Sequence, residues 1–204
     1  MIGSNQISTA EEKEIAKKLP FTKAGVFLES RAFMRDCLST LLNSNPLEVP
    51  LKAYPGEIPK IPEEIGNISI SHTENVLIVI WHKEKIGIDI EKSDRKFNYQ
   101  SLANKYFKKN LNIKDSNKLD KKEILNQWSA IEAAIKWEGG KIANDLKQWK
   151  YIRNEGIILH EKKKIKLKLN QFEYKEWTIS IAMKSSNIYE NNKFIICDKL
   201  NNLL

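Results

Sequence analysis

Cysteine is nearly absent: Cys37 and Cys197 are the two in a chain of 204 residues. That is too few for a disulfide framework, and neither lies at metal or redox spacing, so both read as buried free thiols of a reducing compartment. Histidine is almost as scarce, and His72 has no cysteine or second histidine at zinc-site spacing. No long apolar run occurs; the longest, Val76 to Trp81, is far too short to cross a membrane. The start, Met1 to Gln6, lacks a basic segment followed by an apolar one, so no signal peptide is expected and the cytoplasm is the expected location. What the chain has in excess is positive charge, a net +8 with a pI near 9.3, which calls for an acidic partner. Nucleic acid is one class of such partner, but no zinc-finger spacing and no RNA-recognition aromatic motif supports it. An acidic protein is the other.

Ile86 to Glu91 reads Ile-Gly-Ile-Asp-Ile-Glu. Alternate residues of a strand share a face, so Ile86, Ile88 and Ile90 point one way and Gly87, Asp89 and Glu91 the other. An ordinary half-solvated strand with an acidic outer face has this pattern. So does half of a divalent-metal site, because two carboxylates at this spacing repel unless a cation or a proton lies between them. Gly87 beside them is expected to let a ligand approach the backbone.

Trp128 to Trp137 is a strong helix former, stopped by Gly139 and Gly140. Glu132 and Lys136 are four apart and share a face, with Ser129 one turn earlier. A surface ion pair would look the same. Their neighbours Ala130, Ile131, Ala133, Ala134 and Ile135 leave almost no other polar surface, which points the Glu and Lys at something buried.

Asn67 to Glu74 alternates Ile68 and Ile70 with Ser69 and Ser71, predicting a short strand that ends in a polar turn at His72. A histidine there is either a structural hydrogen bonder or a ligand-binding group.

In this order and at these separations, Ser69-Ile70-Ser71-His72, Gly87-Ile88-Asp89-Ile90-Glu91 and Trp128-Ser129-Ala130-Ile131-Glu132-Ala133-Ala134-Ile135-Lys136 resemble the motifs of the 4'-phosphopantetheinyl transferase superfamily, in the form typified by the surfactin-synthetase-activating enzymes. The resemblance runs from about Phe27 to Met183. It implies transfer of the 4'-phosphopantetheine arm of coenzyme A to a serine of an acyl or peptidyl carrier protein, releasing adenosine 3',5'-bisphosphate. It also implies a magnesium ion, or manganese in its place, held by Asp89, Glu91 and Glu132; both metals meet hard oxygen ligands. Glu132 becomes the candidate general base and Lys136 a phosphate contact, with His72 and Ser71 against coenzyme A.

Further coenzyme A contacts implied by the resemblance are Arg31 and Arg35, four apart on one helix face, and Lys52. Carrier docking falls to Tyr106, Phe107, Lys108 and Lys109, in a lysine cluster between the acidic strand and the Glu132 helix. Two positions depart from the family pattern: Ile131 stands where a lysine usually precedes the glutamate, and Glu57 replaces the lysine expected between a glycine and a proline. They motivate a second reading, a catalytically impaired relative that binds coenzyme A or carrier; a basic nucleic-acid-binding protein is a more remote third.

The chain punctuates into an opening helix after Ser8 or Thr9 with Glu11 or Glu12 as capping partner, the arginine helix, and a loop from Pro46 to Pro62. Strands near Ile68, Val76 and Ile86, a helix near Tyr99 to Phe107 and the Trp128 helix follow. Strands are expected at 149–153, 157–160, 165–169 and 177–183. In the last lysine cluster, Lys162 to Lys168, alternation with Ile165, Leu167 and Leu169 predicts a strand with a solvated lysine face. The resemblance implies the α+β class, as a pseudo-dimer of two similar halves, 1–97 and 98–204, in a single monomeric chain with the active site between them.

Overall fold

A computed structural model describes residues 4–73, 76–107, 120–184 and 195–200. Helices α1 (Ser4–Ile7) and α2 (Ala10–Lys17) lead into the long α3 (Phe21–Leu42). Of the two capping patterns, the chain uses Thr9: its Oγ1 accepts from the Glu12 N–H at 3.2 Å, and Glu12 Oε2 accepts from the Thr9 N–H at 2.8 Å. The buried Glu12 also meets Arg35 Nε at 3.0 Å, tying α2 to α3. Helix α3 stops at Asn43, whose φ of 50° is left-handed.

Strands β1 (Asn67–Thr73), β2 (Val76–His82) and β3 (Ile86–Lys92) follow. Next come α4 (Tyr99–Leu102), a π-turn over Ala103–Phe107, α5 (Lys121–Glu138) and α6 (Ile142–Asp145). The chain then forms β4 (Trp149–Ile152), β5 (Ile157–His160), β6 (Ile165–Tyr174), β7 (Trp177–Met183) and β8 (Ile195–Leu200). The fold is α+β, with two antiparallel sheets ordered β1-β2-β8 and β3-β7-β6-β5-β4. Both sheets join strands from the two sides of residue 97: β2 pairs with β8 and β3 with β7. Among the described residues no helix is long and apolar enough to cross a membrane.

Three apolar clusters hold these layers. Met34 and Leu38 of α3 pack with Val49, Leu51, Ala53 and Ile61 of the proline-punctuated loop and with Ile68 and Val79. Val76, Ile78 and Ile80 of β2 face Ile86, Ile88 and Ile90 of β3 and Trp177, Ile179 and Ile181 of β7. The far side of the five-stranded sheet carries α5, whose Ile131, Ala134 and Ile135 cluster with Phe107, Trp149, Ile158 and Leu167.

Of the two readings of β3, the half-solvated strand is ruled out, because every residue from Ile86 to Glu91 is buried. The isoleucine face lies between the sheets, and the opposite face lies beneath α5. A Cβ added at Gly87 would fall on the Ala133 carbonyl oxygen and lie 2.5 Å from Trp137 N. The absent side chain therefore admits a helix, not a ligand. Opposite Gly87 and Asp89 in the ladder stand Ala182 and Ser180, equally small.

The two sheets meet through side chains. Ser69 Oγ accepts from the Ile88 N–H at 3.1 Å and Ser71 Oγ from the Ile90 N–H at 3.2 Å. The serines of β1 thus satisfy amides on the free edge of β3, which the β7 ladder leaves unpaired.

Gly87→Ala should destabilise the protein by about 1–3 kcal/mol, toward the upper end because the colliding atoms are backbone. Gly25→Ala, in exposed α3 with nothing within 4 Å, should stabilise by about 0.4–1 kcal/mol. Urea unfolding midpoints of the two variants would move in opposite directions; equal midpoints would refute the close α5 packing.

Candidate active site

The tight seat of α5 on β3 lays one side of the helix along a cleft of about 480 Å³ lined by Ser71, His72, Thr73, Asp89, Glu91, Arg95, Glu132 and Lys136. All three sequence motifs contribute to it. Asp89 and Glu91 come from β3, Ser71 and His72 from β1, and Glu132 and Lys136 from α5. His72 is exposed within β1, in register with Leu77, and is not in a turn.

Each acidic group in the cleft is held differently. Asp89 Oδ1 accepts from Ser71 Oγ at 2.9 Å and from Lys136 Nζ at 2.7 Å. Glu91 Oε1 accepts from Arg95 Nη1 at 2.5 Å and from Trp128 Nε1 at 3.1 Å. Burial and the neighbouring Asp89 charge push the Glu91 carboxyl above its ordinary range, against the pull of Arg95. Burial first, then Asp89, push the Glu132 carboxyl up to about 8, with Lys136 opposing. A proton on Glu132 would make a carboxyl-to-carboxylate hydrogen bond with Asp89. With both ionised, Asp89 Oδ2 has no donor.

With Glu132 ionised, Asp89 Oδ2 and Glu91 Oε2 are both buried without a hydrogen-bond donor, a costly state for carboxylate oxygens unless a ligand, or for Asp89 the Glu132 proton, meets them. Three hard oxygen donors, two of them with an unpartnered atom, fit a divalent cation such as magnesium. Among the described residues no preformed cluster of three or more His, Cys, Asp or Glu side chains with metal-site geometry exists. Lys136 and Arg95 already neutralise Asp89 and Glu91.

Other expected site residues lie elsewhere or have their capacity occupied. Arg35 is buried and donates to Glu12 and to the carbonyls of Pro46, Val49 and Leu51. Arg31 donates to the carbonyls of Ala53 and Tyr54 and to Ser30 Oγ. Both arginines fasten the loop after α3 instead of opening into the cleft. Lys52 pairs through its backbone with Lys60 and borders a separate hollow of about 450 Å³ beside α2. The Ser71 hydroxyl donates to Asp89 and accepts from the Ile90 N–H and Lys136, which fills a hydroxyl's one donor and two acceptor sites. It has none left for coenzyme A.

Tyr106 is half-buried beside a hollow of about 290 Å³ shared with Arg95, Phe97, Leu102, Lys105 and Trp128. Phe107 is fully buried in the core and offers no surface to a partner. Lys108 and Lys109 lie outside the described residues. Ile131 is fully buried against the sheet, so a lysine at that position would put its ammonium into apolar packing.

Two residues missing from the sequence-based site are Arg95 and Trp128. Trp128 carried a legible signal, since it precedes Glu132 and Lys136 at steps of four on the same helix face. Arg95 had none: it follows β3 and reaches Glu91 through a turn that spacing does not specify. No family model matches the chain, and no curated protein gives a significant match.

Folding raises the Glu132 pKa from 4.5 to about 8, so between these values the folded chain keeps a proton that the unfolded chain releases. Stability in chelator-treated buffer should therefore fall as pH rises from about 4.5 to about 8. Glu132→Gln should flatten that slope in thermal unfolding midpoints; an unchanged slope would show that Glu132 is not the buried acid.

Proposed function

We propose that the chain transfers 4'-phosphopantetheine from coenzyme A to a serine of an acidic acyl or peptidyl carrier protein. The observation that supports this best is the meeting of His72, Asp89, Glu91, Glu132 and Lys136, drawn from three distant motifs, around one cleft. The carrier serine Oγ attacks the β-phosphate, the bridging bond to the α-phosphate breaks, and adenosine 3',5'-bisphosphate leaves. Glu132 takes the serine proton, as a carboxylate within reach of the hydroxyl can. Lys136, lifting from Asp89, holds a phosphate oxygen and steadies the leaving charge. His72, exposed at the cleft, contacts the 3'-phosphate. Asp89, Glu91 and Glu132 would hold magnesium, which when bound supplies positive charge against the pyrophosphate and favours ionised Glu132.

Carrier docking in this reading shifts from Phe107 to the hollow beside the cleft, where Tyr106, Phe97 and Leu102 offer apolar contact and Arg95 and Lys105 positive charge. The pseudo-dimer of halves 1–97 and 98–204 and the monomeric state belong to the same proposal. One observation favours a second reading, binding of coenzyme A or carrier without turnover: Arg31, Arg35 and Ser71, all expected on coenzyme A, are engaged by the protein itself.

Mass spectrometry of apo acyl and peptidyl carrier proteins, incubated with the chain, coenzyme A and magnesium, should detect phosphopantetheine addition that weakens sharply with salt. Asp89→Ala and Glu132→Ala should abolish it. Unmodified carriers across several types would sink the transferase reading, and if coenzyme A still bound, the binding-only reading would take its place.

A further inference from the structure

Asp89 and Glu91 are gripped in the same lopsided way. In each carboxylate one oxygen receives two donors, Ser71 and Lys136 on Asp89 Oδ1, and Arg95 and Trp128 on Glu91 Oε1. The other oxygen of each is buried and receives none while Glu132 is ionised. The residues are 2% and 5% exposed and line the same cleft as Glu132. Chance would distribute donors over both oxygens; here each pair of donors fixes a carboxylate's orientation while leaving one lone-pair side unclaimed.

We propose that Ser71 and Trp128 are positioning residues, each holding one oxygen of its carboxylate so that the other stays unclaimed as a ligand for a hard divalent cation. The inference rests on the metal assignment within the proposed transfer reaction, but it concerns the protein before any substrate binds. Partners behind a ligand set its orientation and commonly alter metal affinity by 10- to 100-fold. The four donors divide by charge. Ser71 and Trp128 are neutral, so they orient a carboxylate and leave its negative charge available. Lys136 and Arg95 orient it but also repel a second cation brought to the same group. The two kinds of donor therefore have opposite effects on cation affinity, which a purely structural role would not produce.

Manganese titrated alone into the full chain, by calorimetry and by the electron paramagnetic resonance of free ion, tests this. Wild type should bind one ion. Trp128→Phe should weaken binding by roughly 10-fold or more with an unfolding midpoint in chelator close to wild type, Ser71→Ala should weaken it comparably at a lowered midpoint, and Lys136→Met should tighten it by roughly 10-fold. Because Ser71 also ties β1 to β3, Trp128→Phe decides the matter if Ser71→Ala unfolds. Wild-type affinity in Trp128→Phe, weaker binding in Lys136→Met, or no manganese binding by wild type would each overturn the inference. A chain that binds manganese in this pattern yet modifies no carrier leaves the inference standing and removes the transferase reading. Carrier modification with unchanged manganese affinity in Trp128→Phe does the reverse.

Discussion

The Ser71 hydroxyl is the contact on which the rest of the site depends. It accepts from the Ile90 N–H, donates to Asp89 and accepts from Lys136, so one oxygen joins both sheets and α5. A buried hydroxyl with all of its capacity met is inexpensive, whereas any one of those partners left alone would carry a desolvation penalty of about 1–3 kcal/mol. Ser69 repeats the first of these bonds one strand step earlier, on Ile88. Together they seat β1 against the free edge of β3 without a backbone ladder, and the end of β1 brings His72 to the mouth of the cleft.

A second constraint works from the other side of the sheet. Gly87, Ala182 and Ser180 form a patch of small residues on β3 and β7, and α5 sinks onto it until the Ala133 carbonyl occupies the space where a side chain at residue 87 would be. Ser129 bonds Ser180 at 2.9 Å in the same interface, and Gln171 bonds that serine and the Asn126 carbonyl, both at 2.8 Å. This polar seam fixes the rotation of the helix as well as its height. With Ser129, Ala133 and Trp137 turned to the sheet, Trp128, Glu132 and Lys136 are carried to the cleft side. Asp89 is then close enough to raise the pKa of Glu132 and Glu91, and the ammonium of Lys136 close enough to offset part of that effect on Glu132.

Charge in the cleft is balanced internally. Lys136 and Arg95 stand on Asp89 and Glu91, and the raised pKa of Glu132 limits how much unpaired negative charge is buried. A cluster of buried carboxylates can stay folded in this way, because each buried charge keeps a counter-charge. The same balance explains why Arg31 and Arg35 are not part of it: their donors are taken by loop carbonyls and Glu12, where they pin the segment that covers α3.

The sequence alone determined the strands β1, β2 and β3, the glycine stop of α5 and two alternative caps for α2, since each follows from local periodicity or capping chemistry that neighbours in sequence decide. It also marked Asp89, Glu91, Glu132 and Lys136, through the order and separation of three motifs, since an ordinary strand or a surface ion pair would account for either pattern alone. Three things were settled by the tertiary structure. Gly87 receives a helix and not a ligand, a matter of which surface packs there. Ser71 and the two arginines of α3 are engaged by the protein itself, which depends on donors and acceptors far away in sequence. Trp128 and Arg95 hold Glu91, because the turn after β3 and the rotation of α5 bring them together, and no residue spacing encodes either.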